Sequence, residues 1–428
     1  MDMEHVERDW CIYECYLISA LFLFRHGDRS PTHTYPKDTF QEDSWPQGWG
    51  QLTQKGMQHE YMLGQFLRDR YVKSGFLNGT YIREKIRIRS TDKDRTLMSA
   101  YTVLAGLFPA HGTQRWNKNM TWQPIPVHTI PLNDDHLIYT NSPCPAADKL
   151  LKQWKESSPW LKKLKEKYKD LVQYVSDNTG LPNTLDDILG IVDTLFIEYD
   201  TGKFNNDTMP DWLKKDGTFW KMMSLRDVHA SMGLPHVPQI AKLRAGTLVR
   251  HLAENMTAKV NTKDSPSQDL LIYSAHDSTV IALLSALKLY NYRQPPYCTT
   301  VLIELYAKPS GNFVKIFIRN GTDPESKEYN KLHTLKLKGC SIECPLKKFV
   351  ALQKSVIVKD IKKECHLDRV TSNRDKPSAD RVVGLAILSS VTLLLLIILT
   401  ATCVILCKQR NRLGNYRPLP TKYDDDDI

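Results

Sequence analysis

The residues best suited to chemistry stand together at positions 25–31, where the sequence reads Arg-His-Gly-Asp-Arg-Ser-Pro. Arg25 and Arg29 lie on either side of His26. Guanidinium groups bind phosphoryl oxygens through paired hydrogen bonds, and a neutral imidazole nitrogen can attack phosphorus as a nucleophile. Gly27 permits a tight backbone turn beside a bound anion. The segment therefore predicts a site that attacks phosphate esters.

A second segment places a basic side chain where a strand gives way to a helix. Ile86 and Ile88 alternate with basic residues, which indicates a strand. Residues 90–92 are Ser-Thr-Asp, which favour the start of a helix, and a helical pattern follows to about residue 106. Arg95 is therefore expected in the first turn of this helix, close to the end of the strand.

The third segment repeats this arrangement. Residues 269–275 form a predicted strand, His276 and Asp277 follow it, and residues 279–287 are predicted to form an apolar helix. An earlier predicted strand, residues 17–24, likewise runs directly into the first segment. Because ligands of open α/β sheets bind beyond the carboxyl ends of parallel strands, we expect the three segments to converge at one edge of a mainly parallel sheet.

The chain divides into an α/β part and a helical part. Residues 17–141 and 240–365 carry the predicted strands, and residues 300–318 read as a two-stranded hairpin. Residues 142–239 read as helices, with apolar residues at helical spacing over 160–175. We interpret this helical region as an insertion that caps the site.

Composition excludes some functions and leaves others open. The chain of 428 residues has a net charge of +10, with 25% charged and 41% hydrophobic residues, as in an ordinary globular protein. The lysines are spread along the chain and no reader motif is present, so nucleic acid is not an expected partner. His, Cys, Asp and Glu residues are not clustered at metal-ligand spacing, and therefore neither a metal nor another cofactor is expected.

A charge-free apolar segment occupies residues 382–407 and is long enough to cross a bilayer as a helix. Lys408, Arg410 and Arg412 follow directly. This positive charge predicts a cytoplasmic tail at 408–428 and a lumenal or extracellular catalytic part, at the cell surface or in lysosomal or endosomal membranes. A cytosolic domain held by a tail anchor is the alternative topology, which fits the short tail but not the charge after the span.

The flanks of the presumed exported part differ in character. Residues 366–381 are polar and are broken by Pro377, as is typical of a juxtamembrane stalk. Residues 1–16 begin with acidic residues rather than the basic start of a signal peptide, which predicts an atypical N-terminus unless the natural start lies upstream. Sequons for N-glycosylation agree with export. They are at Asn78, Asn119, Asn206, Asn255 and Asn320.

Several motifs of the chain resemble those of the histidine acid phosphatase family. They are R-H-G-x-R-x-P at residues 25–31, G-x-L-T-x-x-G at 50–56, R-S-T-D-x-x-R-T at 89–96 and Y-x-A-H-D at 273–277. The resemblance extends from about residue 22 to residue 365 and is greatest to the lysosomal and prostatic members. It implies the histidine phosphatase fold, with an inserted cap, and the hydrolysis of phosphate monoesters.

The resemblance also implies a role for each residue of the three segments. His26 becomes the nucleophile that forms a phosphohistidine, and Asp277 gives a proton to the leaving alcohol. The residues implied to bind the phosphoryl oxygens are Arg25, Arg29, Arg95 and His276. Three arginines are a metal-free way to stabilise the charge of a phosphoryl-transfer transition state. Because Asp277 must begin protonated and an unperturbed Asp titrates at about pH 4, an acidic optimum is expected.

The resemblance implies two disulfides and leaves one cysteine unpaired. The implied bonds join Cys144 to Cys365 and Cys340 to Cys344. The family's partner for Cys298 falls where this chain has Ile197. We therefore expect Cys298 either to carry a free thiol or to bond with Cys11 or Cys15.

Two further segments suggest partners. Trp122 and His128 lie in a segment that relatives use near a subunit contact, which implies a homodimer. Tyr416 and Leu419 form a Tyr-x-x-aliphatic pattern in the tail, which resembles a sorting signal read by adaptor proteins.

Two other classes of function remain open from the sequence. A membrane receptor or adhesion protein could use a retired phosphatase fold, although every catalytic position is retained here. Within enzymes, the alternative is a phytase-like or phosphoglycerate-mutase-like member, and the His276-Asp277 pair favours the acid phosphatase branch.

Overall fold

The computed structural model describes residues 15–261, 268–321, 326, 328–367 and 379–413. These belong to two compact units, residues 1–367 and residues 368–428, which are described separately. The first unit contains a sheet with helices on both faces, and the second contains a long helix.

A seven-stranded sheet runs through the first unit. Its strands are β1 (Tyr16–Arg25), β2 (Ile86–Ser90), β3 (Leu270–Ala275), β4 (Thr300–Lys308), β5 (Gly311–Arg319), β6 (Leu332–Leu335) and β7 (Cys344–Pro345). The order across the sheet is β2-β3-β1-β4-β5-β6, and β7 pairs with β5. The strand that leads into the first motif therefore lies inside the sheet rather than at its edge.

Helices surround the sheet. Those before the cap are α1 (Gln54–Tyr71) and α2 (Asp94–Leu107). Those of the cap are α3 (Pro145–Ser157), α4 (Pro159–Lys167), α5 (Lys169–Thr179), α6 (Leu185–Gly190), α7 (Val192–Asp200), α8 (Asp211–Lys214), α9 (Thr218–Ser224) and α10 (Arg226–Ala230). Those that follow are α11 (Pro238–Asn261), α12 (Asp277–Ala286), α13 (Leu346–Gln353) and α14 (Ile361–Cys365).

The continuous apolar run of β1 is explained by helices on both of its faces. Leu21 and Leu23 pack in one buried cluster, which includes side chains of α11 and α12. Phe22 and Phe24 pack in a second cluster, with side chains of α1 and α2. Because successive side chains of a strand point to opposite faces, a strand covered on both sides needs apolar residues at every position.

The sheet is mixed, as predicted, but its parallel part is smaller than expected. β2, β3 and β1 run parallel to one another, whereas the other pairs are antiparallel. Lys308 of β4 pairs directly with Gly311 of β5. So short a connection can only reverse the chain, which makes these strands antiparallel and confirms the predicted hairpin.

The cap region is helical, as predicted, and has a core of its own. Buried side chains from α4 to α9, such as Leu161, Ile188 and Phe219, form a separate hydrophobic cluster. The helical pattern over 160–175 is divided at Tyr168, whose backbone leaves the helical region. Two short helices therefore stand where the periodicity alone suggested continuous helix.

Both implied disulfides are present. Cys144 bonds with Cys365, and Cys340 bonds with Cys344. Cys298 is buried and carries a free thiol, the first of the two expected alternatives. Cys11, the other candidate besides Cys15, lies outside the described residues.

The second unit contains the helix α15 (Ala379–Leu413). Its segment Val391–Arg410 has a mean hydropathy of 2.5 and is long enough to cross a membrane. This agrees with the predicted span at 382–407 by length and composition. The predicted sorting residues, Tyr416 and Leu419, lie outside the described residues.

Candidate active site

The three predicted segments meet at the carboxyl edge of the parallel strands. Arg25 is the last residue of β1 and pairs with Ala275, the last residue of β3. The His26 amide donates to the Ala275 carbonyl at 3.0 Å, which brings the first motif beside the start of α12. On the other side of β3, the Thr91 amide donates to the Ser274 carbonyl at 3.2 Å. Backbone pairing alone thus fixes the relative positions of the strand ends.

The His26 imidazole is held as a neutral group with a defined tautomer. Its Nδ1 lies 2.8 Å from the Gly27 carbonyl oxygen. A carbonyl can only accept, so Nδ1 carries the proton and the lone pair is left on Nε2. Burial first, and then the charges of Arg95 and Arg25, hold the pKa of His26 well below its ordinary value. His26 therefore remains unprotonated, and nucleophilic, at acid pH.

Gly27 is required by packing rather than by an unusual backbone angle. A Cβ atom at this position would lie 2.6 Å from the carbonyl oxygen of Gly56 in α1. A Cβ atom on Gly56 would lie 2.2 Å from the Asp28 carbonyl oxygen. The two glycines allow the motif loop and α1 to pack backbone to backbone, which fixes the loop that carries His26.

Arg25 is fully buried and held from several sides. Its Nη1 donates to the Pro295 carbonyl at 2.6 Å, and its Nη2 lies 3.0 Å from Asp277 Oδ2. The guanidinium also stacks 4.1 Å from the centre of the Tyr297 ring. The planar fork is therefore fixed in one orientation at the end of β1.

Arg29 and Arg95 approach the same place from other elements. Arg29 Nη2 pairs with Asp193 Oδ2 of α7 at 2.7 Å, and its Nη1 donates to the Ser30 carbonyl at 3.0 Å. Arg95 Nη1 donates to the Gly50 carbonyl at 3.4 Å. Burial, with Arg29 and Arg25 nearby, lowers the pKa of Arg95 to about 10. Arginines so close to one another repel, which an anion between them would relieve.

These arginines keep buried N–H groups without partners. Within the described residues, no hydrogen-bond acceptor is found for Nε of Arg25, Arg29 or Arg95. Leaving such a buried charged donor unsatisfied is unfavourable by more than 1 kcal/mol, in order of magnitude. The arrangement is that of a site that receives an anion with several oxygens.

Asp277 lies at the start of α12 and does not behave as an unperturbed carboxyl group. Its Oδ2 accepts from Gln294 Nε2 at 2.8 Å and faces Arg25, and its Oδ1 accepts from the Ser278 amide at 2.7 Å. Burial raises the pKa of Asp277, but Arg25 and Arg29 outweigh it, and the pKa lies below its ordinary value. The Asp277 carboxyl therefore does not titrate at about pH 4, as an unperturbed carboxyl would.

His276 stands between β3 and α12, with its ring centre 5.5 Å from that of His26. Its Nε2 lies 2.9 Å from the Thr91 hydroxyl oxygen. Burial and Arg95 lower the pKa of His276 to about 3, although Asp277 opposes this. Like His26, this imidazole is neutral, and it adds no positive charge to the arginines.

Residues 17–319 match the histidine phosphatase superfamily (branch 2). The chain belongs to this superfamily. Lysosomal acid phosphatase of Homo sapiens is 40% identical over 382 residues, 88% of this chain and 85% of that protein. Prostatic acid phosphatase of Bos taurus is 41% identical over 350 residues, 80% of this chain and 86% of that protein. The resemblance inferred from the motifs is confirmed.

Solved structures agree on the architecture of this histidine phosphatase. A Klebsiella phytase superposes with a TM-score of 0.62 at 16% identity, over 81% of this chain and 97% of that one. The apo phytase of Hafnia alvei gives 0.60 at 15% identity, over 82% of this chain and 98% of that one. At such low identity the likeness concerns the fold alone.

Some residues of the site were not found from the sequence of this histidine phosphatase. Asp193 orients Arg29 from the cap, Gln294 and Tyr297 approach from the loop before β4, and Thr91 contacts His276. Thr91 lies within the motif at residues 89–96, so its sequence carried a usable signal. The others come from distant segments, and nothing in their local sequence indicates the contact.

We call the carboxyl edge of the parallel strands, with the residues of the three segments, the catalytic edge. A cleft of about 340 Å³ opens from this edge towards the cap. Arg29 and Asp277 lie on its wall on the side of the sheet. The opposite wall is formed by side chains of α7 and α10 and by the loop that follows α10. A molecule bound at the arginines therefore extends into a cleft shaped largely by the cap.

Proposed function

We propose that this histidine phosphatase is an acid phosphatase, which hydrolyses phosphate monoesters through a phosphohistidine at His26. The observation that carries the proposal is a neutral imidazole surrounded by buried guanidinium N–H groups without partners. Such a site attracts a phosphoryl group and presents a nucleophile to it. The relatives named acid phosphatases support the same activity.

In the first step, His26 Nε2 attacks phosphorus while the bond from phosphorus to the ester oxygen breaks. Arg25, Arg29 and Arg95 have the donors needed for the phosphoryl oxygens, and His276 is placed to join them. The charge spread over these oxygens in the transition state is met by fixed donors, so little reorganisation is needed.

Asp277 supplies the proton for the leaving alcohol oxygen. Burial raises the pKa of this carboxyl, but Arg25 and Arg29 outweigh burial and keep the pKa low. A bound phosphate ester pairs with Arg25 and Arg29 and adds negative charge beside the carboxyl. Both changes raise the pKa of Asp277. Acid pH then favours the protonated form. The acidic optimum is thus a property of the loaded site.

In the second step, water attacks the phosphohistidine. Asp277, now ionised, takes a proton from the water, the bond from nitrogen to phosphorus breaks, and the lone pair returns to His26 Nε2. Inorganic phosphate leaves, and the site returns to its starting state. Such a sequence is ping-pong.

The proposal is tested with the purified full-length protein in detergent at acid pH. We expect turnover of para-nitrophenyl phosphate, and an alkaline quench with a radiolabelled ester should trap label on the protein, lost in His26→Ala. A protein with no activity on any phosphate ester would contradict the proposal and favour a receptor. Turnover without a trapped phosphohistidine would contradict the mechanism.

We also infer a membrane-anchored glycoprotein with its catalytic unit on the lumenal or extracellular side. The apolar segment of α15 supports an anchor, and the lysosomal names of relatives support a lysosomal or endosomal location. Asn78, Asn119 and Asn206 are exposed, as glycan acceptors must be, while Asn255 and Asn320 are half-buried. Protease protection in sealed vesicles, with glycosidase digestion, tests both the orientation and the glycans.

A homodimer is proposed from an exposed apolar surface near the predicted contact residues. Trp116, Met120, Trp122 and Ile130 are exposed within one stretch that also contains His128. Aromatic and methionine side chains are enriched in subunit interfaces. Light scattering of the wild type and of Trp122→Glu distinguishes a dimer from a monomer.

The adaptor proteins proposed to read Tyr416 and Leu419 are tested by the surface level of Tyr416→Ala.

A further inference from the structure

The cleft beside Asp277 receives the part of the substrate that leaves. Asp277 is the proposed proton donor to the ester oxygen and lies on the wall of this cleft. The leaving alcohol must therefore lie in the cleft when its oxygen receives the proton. Side chains that line the cleft away from the phosphoryl site select among leaving groups.

Arg226, the first residue of α10, lines this cleft. Its guanidinium lies 3.4 Å from the centre of the Phe196 ring. Within the described part of the chain, its side chain forms no hydrogen bond and no ion pair with a carboxylate. Stacking on a ring uses the face of the guanidinium and leaves its N–H edges free to bind a ligand.

The acidic groups near Arg226 are already engaged by other arginines. Asp193 pairs with Arg29 at 2.7 Å, and Asp277 lies 3.0 Å from Arg25. Asp227 pairs with Arg293 at 2.6 Å. The positive charge of Arg226 is therefore not matched by a carboxylate of the protein.

Other residues of the lining fit the same ligand. The exposed imidazoles of His33 and His229 also line the cleft, where their ring nitrogens can donate hydrogen bonds to an anion. Val192, Met232 and Ile281 supply apolar contacts for a carbon skeleton. The cleft thus combines apolar walls with positive charge that the phosphoryl site does not use.

The electrostatics of Arg226 agree with a subsite for an anion. Burial, the largest cause, and the charge of Arg25 lower the pKa of the Arg226 guanidinium, while Asp193, Tyr297 and Asp227 oppose this. A half-buried cation without a carboxylate partner is unfavourable, and a ligand anion would relieve it.

We propose that Arg226, with His33 and His229, forms a leaving-group subsite that selects phosphate monoesters whose alcohol carries a second anionic group, a carboxylate or a phosphate. This subsite rests on the proposed phosphatase function, since it acts on the group that Asp277 protonates. Arg226 is then a specificity residue that touches the substrate away from the reacting atoms.

The test compares substrates that differ only in charge. The purified full-length protein in detergent is assayed with para-carboxyphenyl phosphate and para-carbamoylphenyl phosphate, at a mildly acid pH where the carboxylate is still ionised. A second pair, propanediol bisphosphate and propanediol monophosphate, presents a phosphate instead. We expect kcat/KM to be about tenfold higher for the charged member, as one charge-assisted hydrogen bond would provide. The pair with the larger ratio identifies the preferred group.

The variants separate charge from shape. Arg226→Gln should reduce the ratio of charged to neutral substrate to about one, and Arg226→Lys should restore part of it. Lys221→Gln, on the exposed surface of α9 outside the lining, is the matched control and should keep the wild-type ratio.

Two results would overturn the subsite. One is equal kcat/KM for charged and neutral members of both pairs in the wild type. The other is an Arg226→Gln protein whose two rates fall together without a change in their ratio, which indicates a structural role. A wild type inactive on all four substrates would instead refute the phosphatase function itself.

Discussion

Charged groups are buried in two regions of the molecule: at the catalytic edge, and where the cap contacts the loop after the first motif. The hydrogen-bonding needs of these groups are met differently in the two regions. At the edge, Arg25, Arg29 and Arg95 keep N–H groups without acceptors. At the cap contact, Glu198 of α7 is fully buried against Asp38, and neither of its carboxyl oxygens receives a hydrogen bond from a described residue. The edge has an excess of donors, and the cap contact an excess of acceptors.

Protonation can remove the excess of acceptors at the cap contact, but it cannot remove the excess of donors at the catalytic edge. Burial, and then Asp38, raise the pKa of Glu198 to about 10, so Glu198 carries a proton and donates to the Asp38 carboxylate. The Phe40 amide donates to Asp38 Oδ1 at 2.9 Å. Arginine remains charged, so only an anion from outside completes the catalytic edge. The catalytic edge is thus a charge cluster that serves a ligand, whereas the Glu198 contact is one that serves the fold.

The largest effect should follow from removing the nucleophile. His26→Ala deletes the atom that accepts the phosphoryl group while leaving the arginines in place. We expect kcat for para-nitrophenyl phosphate to fall by about four orders of magnitude or more, as for other covalent catalysts. His111→Ala, whose imidazole contacts the Gly79 carbonyl away from the site, is the control and should retain wild-type kcat. Substantial turnover by His26→Ala would contradict the role of His26.

The second largest loss of activity should follow from removing the proton donor, and its size should depend on the leaving group. Asp277→Asn cannot donate a proton, so alkyl phosphates, whose alkoxides leave poorly, should lose about 100-fold or more in kcat/KM. Aryl esters with acidic phenols should lose far less. The measurement is a series of esters with leaving groups of increasing acidity. Equal losses along the series would exclude Asp277 as the acid.

A bound anion should stabilise the catalytic edge. Unfolded histidines take up protons below about pH 6.5, whereas folded His276, with a pKa of about 3, does not. The contribution of His276 to the free energy of unfolding therefore falls as the pH falls through this range. Sulfate at about 100 times its Kd should add about 2.7 kcal/mol, measured by denaturant unfolding against sodium chloride of equal ionic strength. Equal stabilisation of Arg25→Gln would show that the sulfate binds elsewhere.

The Glu198 contact should show the opposite pH dependence. Folded Glu198 keeps its proton to about pH 10, whereas the unfolded residue loses it above about pH 4.5, so its contribution to stability is greatest in acid. This contribution falls by about 1.4 kcal/mol for each pH unit above the unfolded value. Glu198→Gln keeps a donor for Asp38 without titrating and should flatten the dependence. Glu254→Gln, on the exposed surface of α11, is the control and should match the wild type.

The sequence predicted the catalytic edge well because local patterns mark strand ends. His26 directly follows β1, and Arg95 and Asp277 lie in the first turns of the helices that follow β2 and β3. The convergence of these residues follows from the parallel pairing of the strands. Asp193 and Arg226 could not be placed in this way. They belong to short cap helices, and their position over the site depends on how the cap packs, which no local periodicity records.

The smallest effect should come from Cys298, which lies beside the loop that carries His26 and beside a buried carboxyl group. Its amide donates to the His26 carbonyl at 3.3 Å. Burial, and then the neighbouring Glu60 carboxyl, raise the pKa of its thiol well above the ordinary value. The link to His26 is made by the backbone and persists in Cys298→Ala. We therefore expect kcat within about threefold of wild type and a loss of about 1 kcal/mol in unfolding free energy, as for a small core truncation. A large loss of kcat with normal stability would instead assign the thiol to the catalytic edge.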